Sequence, residues 1–372
     1  MAARELPRSA EVVVVGGGAM GASALYHLTT AGCRDAVLIE RDTLGSGSTS
    51  KAAGGIRAQF SDELNIRMSL ENIRRFERFE EDFGVDIGFN QWGYLIMVDE
   101  ASLPAFRDAL ELQNSLGVPS QLLDPDEVAE RLPQLRVDDI AGATFCSIDG
   151  YATPESVLQG YVAAARSHGA RVVQGCAVEG LLTDRARISG VRTSRGEIST
   201  PTVILTAGVW SVEVAATAGL ELPVRPEVRH VWFTEPGDPL PRELPLTIDF
   251  ETGFYFHREG DGLLFGGREA SLEEIAPVAT HRLPILEELG IRPGWWGYYE
   301  MSPDHNALIG AATEPVGLLY ATGFSGHGFQ QAPVVGEYLA DVALGRTPAF
   351  DLTGFAVERF DGSGSKPERH VV

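Results

Sequence analysis

The sequence predicts an α/β protein with two domains, one built on a parallel sheet and the other on an antiparallel sheet. Residues 11–40, EVVVVGGGAMGASALYHLTTAGCRDAVLIE, have the order strand, glycine-rich turn, helix and strand of a βαβ unit. Residues 221–300 contain short alternating runs such as VRHVWFT and GFYFHRE, which are typical of antiparallel strands. A chain of 372 residues with 44% hydrophobic content is long enough to bury a core in each domain.

The βαβ unit carries a complete nucleotide-binding pattern. The β-branched run Val12–Val15 precedes Gly16, Gly18 and Gly21, which match G-x-G-x-x-G. The first glycine permits a tight turn, the second lets the backbone approach a pyrophosphate, and the third lets the helix pack on the strand. The second strand ends at Glu40, where an acid commonly receives ribose hydroxyls. The order of all these features indicates a dinucleotide site, whereas the glycines alone are consistent with a turn.

Composition excludes several classes of partner. The formal net charge of -22 argues against nucleic acid and anionic membrane surfaces, because both would be repelled. The first residues, MAARELPRSAE, lack the apolar core of a signal peptide, so we expect a cytoplasmic protein with no membrane insertion. Cys33, Cys146 and Cys176 are widely spaced and lack C-x-x-C or histidine neighbours. They predict reduced structural thiols and no metal site.

A long loop rich in small residues, RDTLGSGSTSKAAGGIRAQFS, follows Glu40. Its hydroxyls and backbone N–H groups are expected beside the pyrophosphate, since loops of this kind carry ligands. Gly54 and Gly55 would let the main chain lie against a flat ring. Arg57 stands between Ile56 and Phe60, which makes it less typical of a surface loop than Lys51.

The elements that follow can be placed in order. Helical periodicity with Ser61 as the N-cap predicts a helix that ends at Gly84. QWGYLIMVDE predicts a strand before a polar helix over 103–116. Thr153 and the proline after it predict the start of another helix. ARVVQGCAVEGL, RISGVRT and GEIST predict a sheet edge and a β-meander. TVILTAGVW then predicts a buried strand that ends where α/β sheets meet dinucleotides.

A second glycine-rich turn, GFSGHGFQ at 323–330, lies between an apolar strand and the closing helix. It predicts a second helix N-terminus directed at ligand charge, as would stabilise the reduced form of a flavin at N1 and the C2 carbonyl. A purely structural turn is the alternative, and His327 alone is equally consistent with a core histidine. The pairing of both turns favours a flavoprotein, because a Rossmann NAD dehydrogenase has no use for this segment.

On these motifs the chain resembles the FAD-dependent oxidoreductases of the D-amino-acid oxidase type, particularly the sarcosine oxidase branch with its β-subunit-like proteins. The resemblance covers nearly the whole chain and extends to the mitochondrial FAD-dependent oxidoreductase domain proteins. The segments that carry it are GGGAMG with Glu40, GSTSKAAGGIRAQFS, TAGVW, YYEMSPDHNALIG and GFSGHGFQQAP.

The resemblance implies a discontinuous Rossmann-like FAD-binding domain and a substrate domain with an antiparallel β-sheet plus helices. The FAD-binding domain would take residues 9–85, 150–220 and 305–360, and the substrate domain would take 86–149 and 221–304. The polar C-terminal stretch GSGSKPERHVV predicts a flexible tail over 361–372.

The resemblance also implies the site residues. Contacts with FAD would come from Gly16, Gly18, Ala19, Met20, Gly21, Glu40, Arg41, Ser48, Thr49, Ser50, Lys51, Gly54, Gly55, Ile56, Val178, Ala207, Gly208, Trp210, Gly323, Gly326, His327, Gly328, Phe329 and Gln330. The substrate side would be formed by Arg57, Tyr255, Arg268, Tyr299 and His327.

Three positions depart from the monomeric sarcosine oxidases. Gly297 stands where those enzymes bind the flavin covalently through a cysteine, so non-covalent FAD is expected. Gln330 replaces a lysine that helps to hold the substrate carboxylate. Arg268 stands in place of a lysine that promotes reaction with oxygen, and it keeps the charge but not the compact ammonium.

The implied reaction is oxidation of the C–N bond of a secondary amine or amino acid, such as sarcosine, another N-alkyl amino acid or a cyclic amino acid. Hydride would pass to flavin N5, and the resulting imine would hydrolyse. The substrate carboxylate would pair with Arg57 or Arg268, and His305 and His327 are candidates for a general base.

Two other functions stay open from the sequence: a 2-hydroxy acid dehydrogenase or oxidase of the same fold, and a non-catalytic assembly protein that holds FAD. Expected partners are the small substrate and an electron acceptor, either oxygen or a redox partner. The assembly state is open between a chain acting alone, a homo-oligomer and a complex subunit.

Overall fold

Two sheets organise the protein in a computed structural model that describes residues 6–362 and 365–370. The strands are β1 (Val12–Val15), β2 (Ala36–Ile39), β3 (Gly55–Ile56), β4 (Tyr94–Val98), β5 (Ser120–Leu123), β6 (Gly142–Cys146), β7 (Gly150–Tyr151), β8 (Arg171–Val173), β9 (Val178–Asp184), β10 (Arg187–Thr193), β11 (Gly196–Ser199), β12 (Val203–Leu205), β13 (Arg225–Thr234), β14 (Leu246–Asp249), β15 (Tyr255–Glu259), β16 (Gly262–Gly266), β17 (Ile291–Met301), β18 (Leu308–Ala311) and β19 (Leu318–Thr322). The helices are α1 (Ala19–Thr30), α2 (Glu63–Glu77), α3 (Phe79–Phe83), α4 (Leu103–Ser115), α5 (Pro125–Arg131), α6 (Pro154–Ser167), α7 (Ser211–Ala216), α8 (Leu272–Arg282) and α9 (Gly328–Ala343).

The first sheet is mainly parallel and has the order β18-β19-β12-β1-β2-β8. β1 lies at its centre and pairs in parallel with β2 and β12, and its four valines are buried on both faces. Helices α1, α6 and α9 pack together beside it, with α1 and α9 so close that a Cβ on Gly336 would lie 2.2 Å from Ser23 Oγ. The predicted βαβ unit is therefore confirmed, and the meander forms a separate sheet of β9, β10 and β11.

The first glycine turn has the close packing that its sequence predicts. Gly16 has φ +105°, and a Cβ there would lie 2.4 Å from the carbonyl oxygen of Thr206 at the end of β12. A Cβ on Gly21 would lie 2.0 Å from the carbonyl oxygen of Gly16. Because no side chain fits either position, α1 can begin directly against the end of β1.

The second sheet has the order β17-β13-β16-β15-β14-β4-β6-β5 and is antiparallel except where β14 pairs with β4. Its strands come from 94–146 and 225–301, within the segments that the sequence assigns to the substrate domain. A phenylalanine-rich core of its own, which includes Phe254, Phe256 and Phe265, packs with α8 residues such as Ile275. The two-sheet α/β fold class is as predicted, whereas the exact domain boundaries stay a prediction.

The helix predicted over 61–84 is divided into α2 and α3, because Arg78 departs from helical geometry with ψ 3°. Asp62, and not Ser61, caps α2: its Oδ1 accepts a hydrogen bond of 3.0 Å from the backbone N–H of Asn65. A carboxylate there also complements the positive end of the helix dipole. Ser61 instead donates its backbone N–H to the Glu368 carboxylate and accepts a hydrogen bond from the Arg369 N–H through its hydroxyl.

Residues 365–370, which we call the C-terminal segment, are docked on the protein in the structure, although the sequence predicts a flexible tail over 361–372. Glu368 and His370 are 2% and 3% exposed, and the ring of His370 stacks on Phe106 with centroids 3.9 Å apart. The backbone N–H of Glu368 donates to the carbonyl of Asp304 over 3.0 Å. Hydrogen bonds to buried polar groups therefore hold a segment that is too polar to be fixed by apolar burial. Residues 363, 364, 371 and 372 of the predicted tail lie outside the described residues.

Two further expectations concern the described part of the chain. None of its helices is both long and apolar enough to cross a membrane. All three cysteines are buried free thiols. Residues 1–5, which belong to the stretch used to exclude a signal peptide, lie outside the described residues.

We expect Gly21→Ala to lower the free energy of unfolding by about 1–3 kcal/mol, the usual cost of overpacking, because the new Cβ would overlap the carbonyl of Gly16. Chemical denaturation followed by fluorescence measures this change. Gly354→Ala is the matched control, since a Cβ there meets its nearest heavy atom, in Leu64, at 3.8 Å. Equal stability of the two variants would contradict the close-packing argument.

Candidate active site

A cavity of about 380 Å³ extends from the end of β1 to the face of the second sheet. The two glycine turns, the loop after Glu40 and the ends of β12 and β17 form its walls. Of the residues predicted to bind FAD, these line it: Gly16, Gly18, Ala19, Met20, Glu40, Arg41, Ser48, Thr49, Lys51, Gly54, Gly55, Val178, Ala207, Gly208, Trp210, Gly326, His327, Gly328, Phe329 and Gln330. The fold therefore brings together segments more than 300 residues apart in one cavity.

Four residues predicted to bind FAD do not line this cavity. Gly21 lies between α1 and the glycine turn, where it permits their close packing. The backbone N–H of Ser50 donates to the carbonyl of Gly45, and Ile56 is 1% exposed within the core. Gly323 occupies a left-handed turn with φ +69°. These residues lie behind the cavity walls, and their direct contact with FAD stays a prediction.

At the nucleotide end, side chains hold the glycine turn in place. Glu40 Oε2 accepts from the backbone N–H of Gly17 over 2.7 Å, while its Oε1 accepts from Asp42 N–H over 2.8 Å. Thr49 Oγ1 accepts from the backbone N–H of Ala19 over 3.0 Å, which joins the loop to the start of α1. The positive end of α1 thus faces the cavity with no acidic side chain in its first turn. This arrangement suits the diphosphate and ribose of a dinucleotide.

The second glycine turn adds another helix N-terminus. α9 begins at Gly328, and no side chain of the described residues caps its first turn. A Cβ on Gly326 would lie 2.7 Å from the ring of Tyr299, so only glycine lets this turn approach the second sheet. A Cβ on Gly55 would likewise lie 1.8 Å from the hydroxyl of Tyr94. These glycines leave a narrow space between the backbone and the phenol rings. A space of this shape fits the flat ring of FAD.

Three phenols surround this end of the cavity, which we call the ring end. Tyr94, Tyr255 and Tyr299 all line it. Burial raises the pKa of each of them, and that of Tyr255 lies well above the usual value of 10. They are therefore neutral hydroxyls at physiological pH and can donate hydrogen bonds.

Arg57 lines the ring end, but both of its Nη nitrogens already donate hydrogen bonds to the protein. It is 4% exposed, and its Nη2 donates to His327 Nε2 over 3.0 Å and to the carbonyl of His370. Its Nη1 donates to the carbonyl of Gln59. Both two-pronged edges of a guanidinium include Nη2, so in this arrangement Arg57 presents no free fork to a ligand carboxylate.

His327 is a neutral histidine in this site. Burial and the neighbouring charge of Arg57 hold its pKa well below 6.5. Because arginine only donates, the lone pair of His327 Nε2 is taken up by Arg57 and is not free to accept a substrate proton. His305, the other predicted candidate for a base, does not line the cavity.

Arg229 lines the cavity near the phenols, whereas Arg268, predicted for the substrate side, does not line it. Arg268 is exposed, and it donates to the carbonyls of Glu251 and Phe250 away from the cavity. Arg229 on β13 lines the cavity, with its Cζ 5.2 Å from the ring of Tyr299. Its Nη1 pairs with Glu227 at 2.6 Å, while Nε and Nη2 make no hydrogen bond within the described chain. One fork therefore remains open.

Sequence reasoning missed Arg229 because β13 and β17 pair in a register that local patterns do not reveal. Arg229 stands opposite Gly297, and Glu227 stands opposite Tyr299. An arginine on an alternating strand was the available signal, but β15 and β17 of the same sheet also carry an arginine.

Glu300 is a second residue that sequence reasoning missed. Its carboxylate accepts from Thr322 Oγ1 over 2.7 Å, and burial raises its pKa to about 7 despite that hydrogen bond. It lines the cavity beside Gly208, where a ligand would meet a carboxyl group able to titrate near neutral pH.

Comparisons with known proteins agree with this geometry. The family model for FAD dependent oxidoreductases (DAO) matches residues 11–342. Sarcosine dehydrogenase from Homo sapiens is 31% identical over 97% of this chain and 42% of the relative, so the chain spans less than half of that protein. FAD-dependent oxidoreductase domain-containing protein 1 from Xenopus laevis is 30% identical over 98% of this chain and 85% of the relative.

The structure of L-proline dehydrogenase from P. horikoshii superposes with a TM-score of 0.88 and 32% identity, covering 96% of this chain and 99% of that chain. The likeness therefore includes both sheets and the cavity between them. The family that the glycine turns and the closing segment predict is confirmed. This chain belongs to the DAO family of FAD-dependent oxidoreductases.

Proposed function

We propose that this protein oxidises the C–N bond of a secondary amine or amino acid with FAD. The observation that carries the proposal is the open fork of Arg229 beside Tyr255 and Tyr299, in the same cavity as both glycine turns. A carboxylate is the group that such a fork recognises. The names of the similar sarcosine and L-proline dehydrogenases support an amino acid with a secondary nitrogen.

FAD would lie with its diphosphate at Gly16 to Gly18 and the start of α1, and with its ring between Gly54, Gly55 and the turn before α9. When bound, FAD supplies the group that accepts a hydride from the carbon next to the amine nitrogen. The backbone N–H groups that start α9 would favour negative charge on the ring.

We infer that FAD is held without a covalent bond to a cysteine. The three cysteines of the chain are buried thiols that do not line the cavity. At Gly297 the space that a Cβ would enter is bounded by the Lys51 side chain, 3.0 Å away. No thiol is therefore positioned to bond a ring in this cavity.

The protein residues orient the substrate. Arg229 would pair with the substrate carboxylate, and the hydroxyls of Tyr255 and Tyr299 would donate hydrogen bonds beside it. This would direct the neighbouring C–H and amine toward Gly54, Gly55 and the turn before α9, where the FAD ring would lie. The buried rings keep water from the reacting carbon, which protects the product until the imine leaves and hydrolyses.

The substrate amine must lose its proton, and neither predicted histidine base is available. We propose that the site achieves this by electrostatics, because Arg57 and Arg229 both disfavour a further positive charge in the cavity. A like charge nearby lowers the pKa of a bound ammonium, so the proton leaves to solvent on binding. The electron acceptor is oxygen or a redox partner, and substrate turnover with and without air distinguishes them.

Acid precipitation of the purified yellow protein should leave FAD in the supernatant, because the cavity offers no cysteine for a covalent link. The visible spectra of supernatant and pellet measure this. A pellet that stays yellow after denaturation would contradict the non-covalent site.

Anaerobic addition of the preferred substrate should bleach the flavin absorbance. The panel should include sarcosine, proline and other N-alkyl or cyclic amino acids, with 2-hydroxy acids as the comparison. Bleaching by 2-hydroxy acids alone would replace amine oxidation by C–O oxidation. No bleaching by any compound would favour a protein that holds FAD without catalysis.

Arg229→Gln should weaken binding of the best amino acid by roughly 10- to 100-fold, the cost of a charge-assisted pair, while the FAD content is unchanged. The dependence of the anaerobic reduction on substrate concentration gives this binding constant. Arg268→Gln is the matched control and should behave as the wild type, since Arg268 points away from the cavity. If Arg268→Gln has the larger effect, the assignment of the carboxylate site is wrong.

A further inference from the structure

The C-terminal segment, residues 365–370, lies against the loop that carries Arg57. The carboxylate of Glu368 accepts hydrogen bonds from the backbone N–H of Ser61 over 3.0 and 3.1 Å and from that of His370 over 2.9 Å. The N–H of Arg369 donates to Ser61 Oγ over 3.0 Å. At the other end, Asn306 Nδ2 donates to the carbonyl of Lys366 over 2.8 Å. The segment is thus fixed at several points along its length.

These contacts place the carbonyl of His370 on Arg57 Nη2. The ring of His370 stacks on Phe106, and the carbonyl of Gln59 lies 3.3 Å from its Nδ1, so the residue is held from both sides. The carbonyl and His327 Nε2 together account for both hydrogens of Nη2. The C-terminal segment is therefore what closes the fork of a cation that otherwise faces the cavity.

Arg57 and Arg229 lie on the same part of the cavity wall. Each lies close enough to Tyr299 to oppose the rise in the pKa of that phenol caused by burial. With the segment in place, Arg229 alone has an open fork. Without it, one hydrogen of Arg57 Nη2 would be free while His327 keeps the other. Together with Nε–H, which makes no hydrogen bond within the described chain, that hydrogen would supply a second fork.

We propose that the C-terminal segment determines substrate specificity by withholding the Arg57 fork, which restricts the site to ligands with a single carboxylate. Dicarboxylates would be excluded because their second charge would meet a guanidinium already bound to protein. Release of the segment would create a second carboxylate site on Arg57. This inference rests on the proposed amino-acid site, and its test measures binding and not turnover.

The test uses the full-length holoenzyme and two probes, acetate and glutarate, whose binding is followed by perturbation of the flavin spectrum. Glu368→Ala combined with His370→Gly removes the anchoring carboxylate and the stacked ring. We expect this double variant to bind glutarate about tenfold or more tightly than the wild type, with acetate affinity little changed. Adding Arg57→Gln should reverse the gain.

Arg369→Ala is the matched control, because Arg369 belongs to the same segment but its side chain is exposed. It should leave both affinities as in the wild type. Unchanged glutarate affinity in a folded, flavin-loaded double variant would overturn the role of the segment. Absence of any acetate binding to the wild type would overturn the proposed carboxylate site, and this inference with it.

A second measurement needs no variant. Because binding linkage is reciprocal, glutarate that takes the Arg57 fork must displace the segment. Saturating glutarate should therefore speed hydrogen exchange at the amides of Glu368, Arg369 and His370 in the wild type by about tenfold, whereas acetate should not. Equal exchange with both anions at saturation would overturn the proposal even if the double variant fails to fold.

Discussion

A buried guanidinium must have its N–H groups satisfied, and Arg57 meets this constraint by joining distant parts of the chain. Its backbone N–H donates to Gln330 Oε1 over 2.7 Å, while its side chain binds the turn before α9 and the C-terminal segment. The buried carboxylate of Asp149 holds the adjoining backbone through Ala58 N–H over 2.8 Å. The loop between the two sheets is thereby fixed from several sides, and the ring end of the cavity takes its shape from it.

The two ends of the cavity are lined by different chemical groups, because they would hold different parts of the ligands. A diphosphate is best held by backbone N–H groups at close range, so the nucleotide end is made of glycines that no side chain could replace, as at Gly16 and Gly21. The ring end is lined by phenols and Arg229 from the second sheet together with Arg57, groups that suit the proposed small substrate. The cavity therefore depends on the contact between the sheets, where backbone and side-chain walls face each other.

Burial is the main influence on the protonation of the carboxyl groups near this contact. Burial raises the pKa of Asp149 to about 6 and that of Glu300 to about 7, against the hydrogen bonds that each accepts. A carboxyl group with a raised pKa binds its proton more tightly in the folded state. Its contribution therefore makes the fold less stable as the pH rises from about 4 through the raised pKa. A ligand cavity that needs these groups thus carries a cost in stability that the surrounding packing must offset.

The amino-acid sequence alone predicts the parallel sheet, both glycine turns, about half of the residues that line the cavity and the family. These features are local: three glycines before a helix have the same consequence wherever the helix lies. The three-dimensional contacts add that Arg229 and not Arg268 lines the cavity, that the fork of Arg57 is closed, and that residues 365–370 are docked. Each of these depends on the register of β13 with β17 or on hydrogen bonds across some 300 residues. Local periodicity and composition do not report such long-range contacts. A polar segment is therefore predicted to be flexible unless its buried hydrogen-bond partners are known.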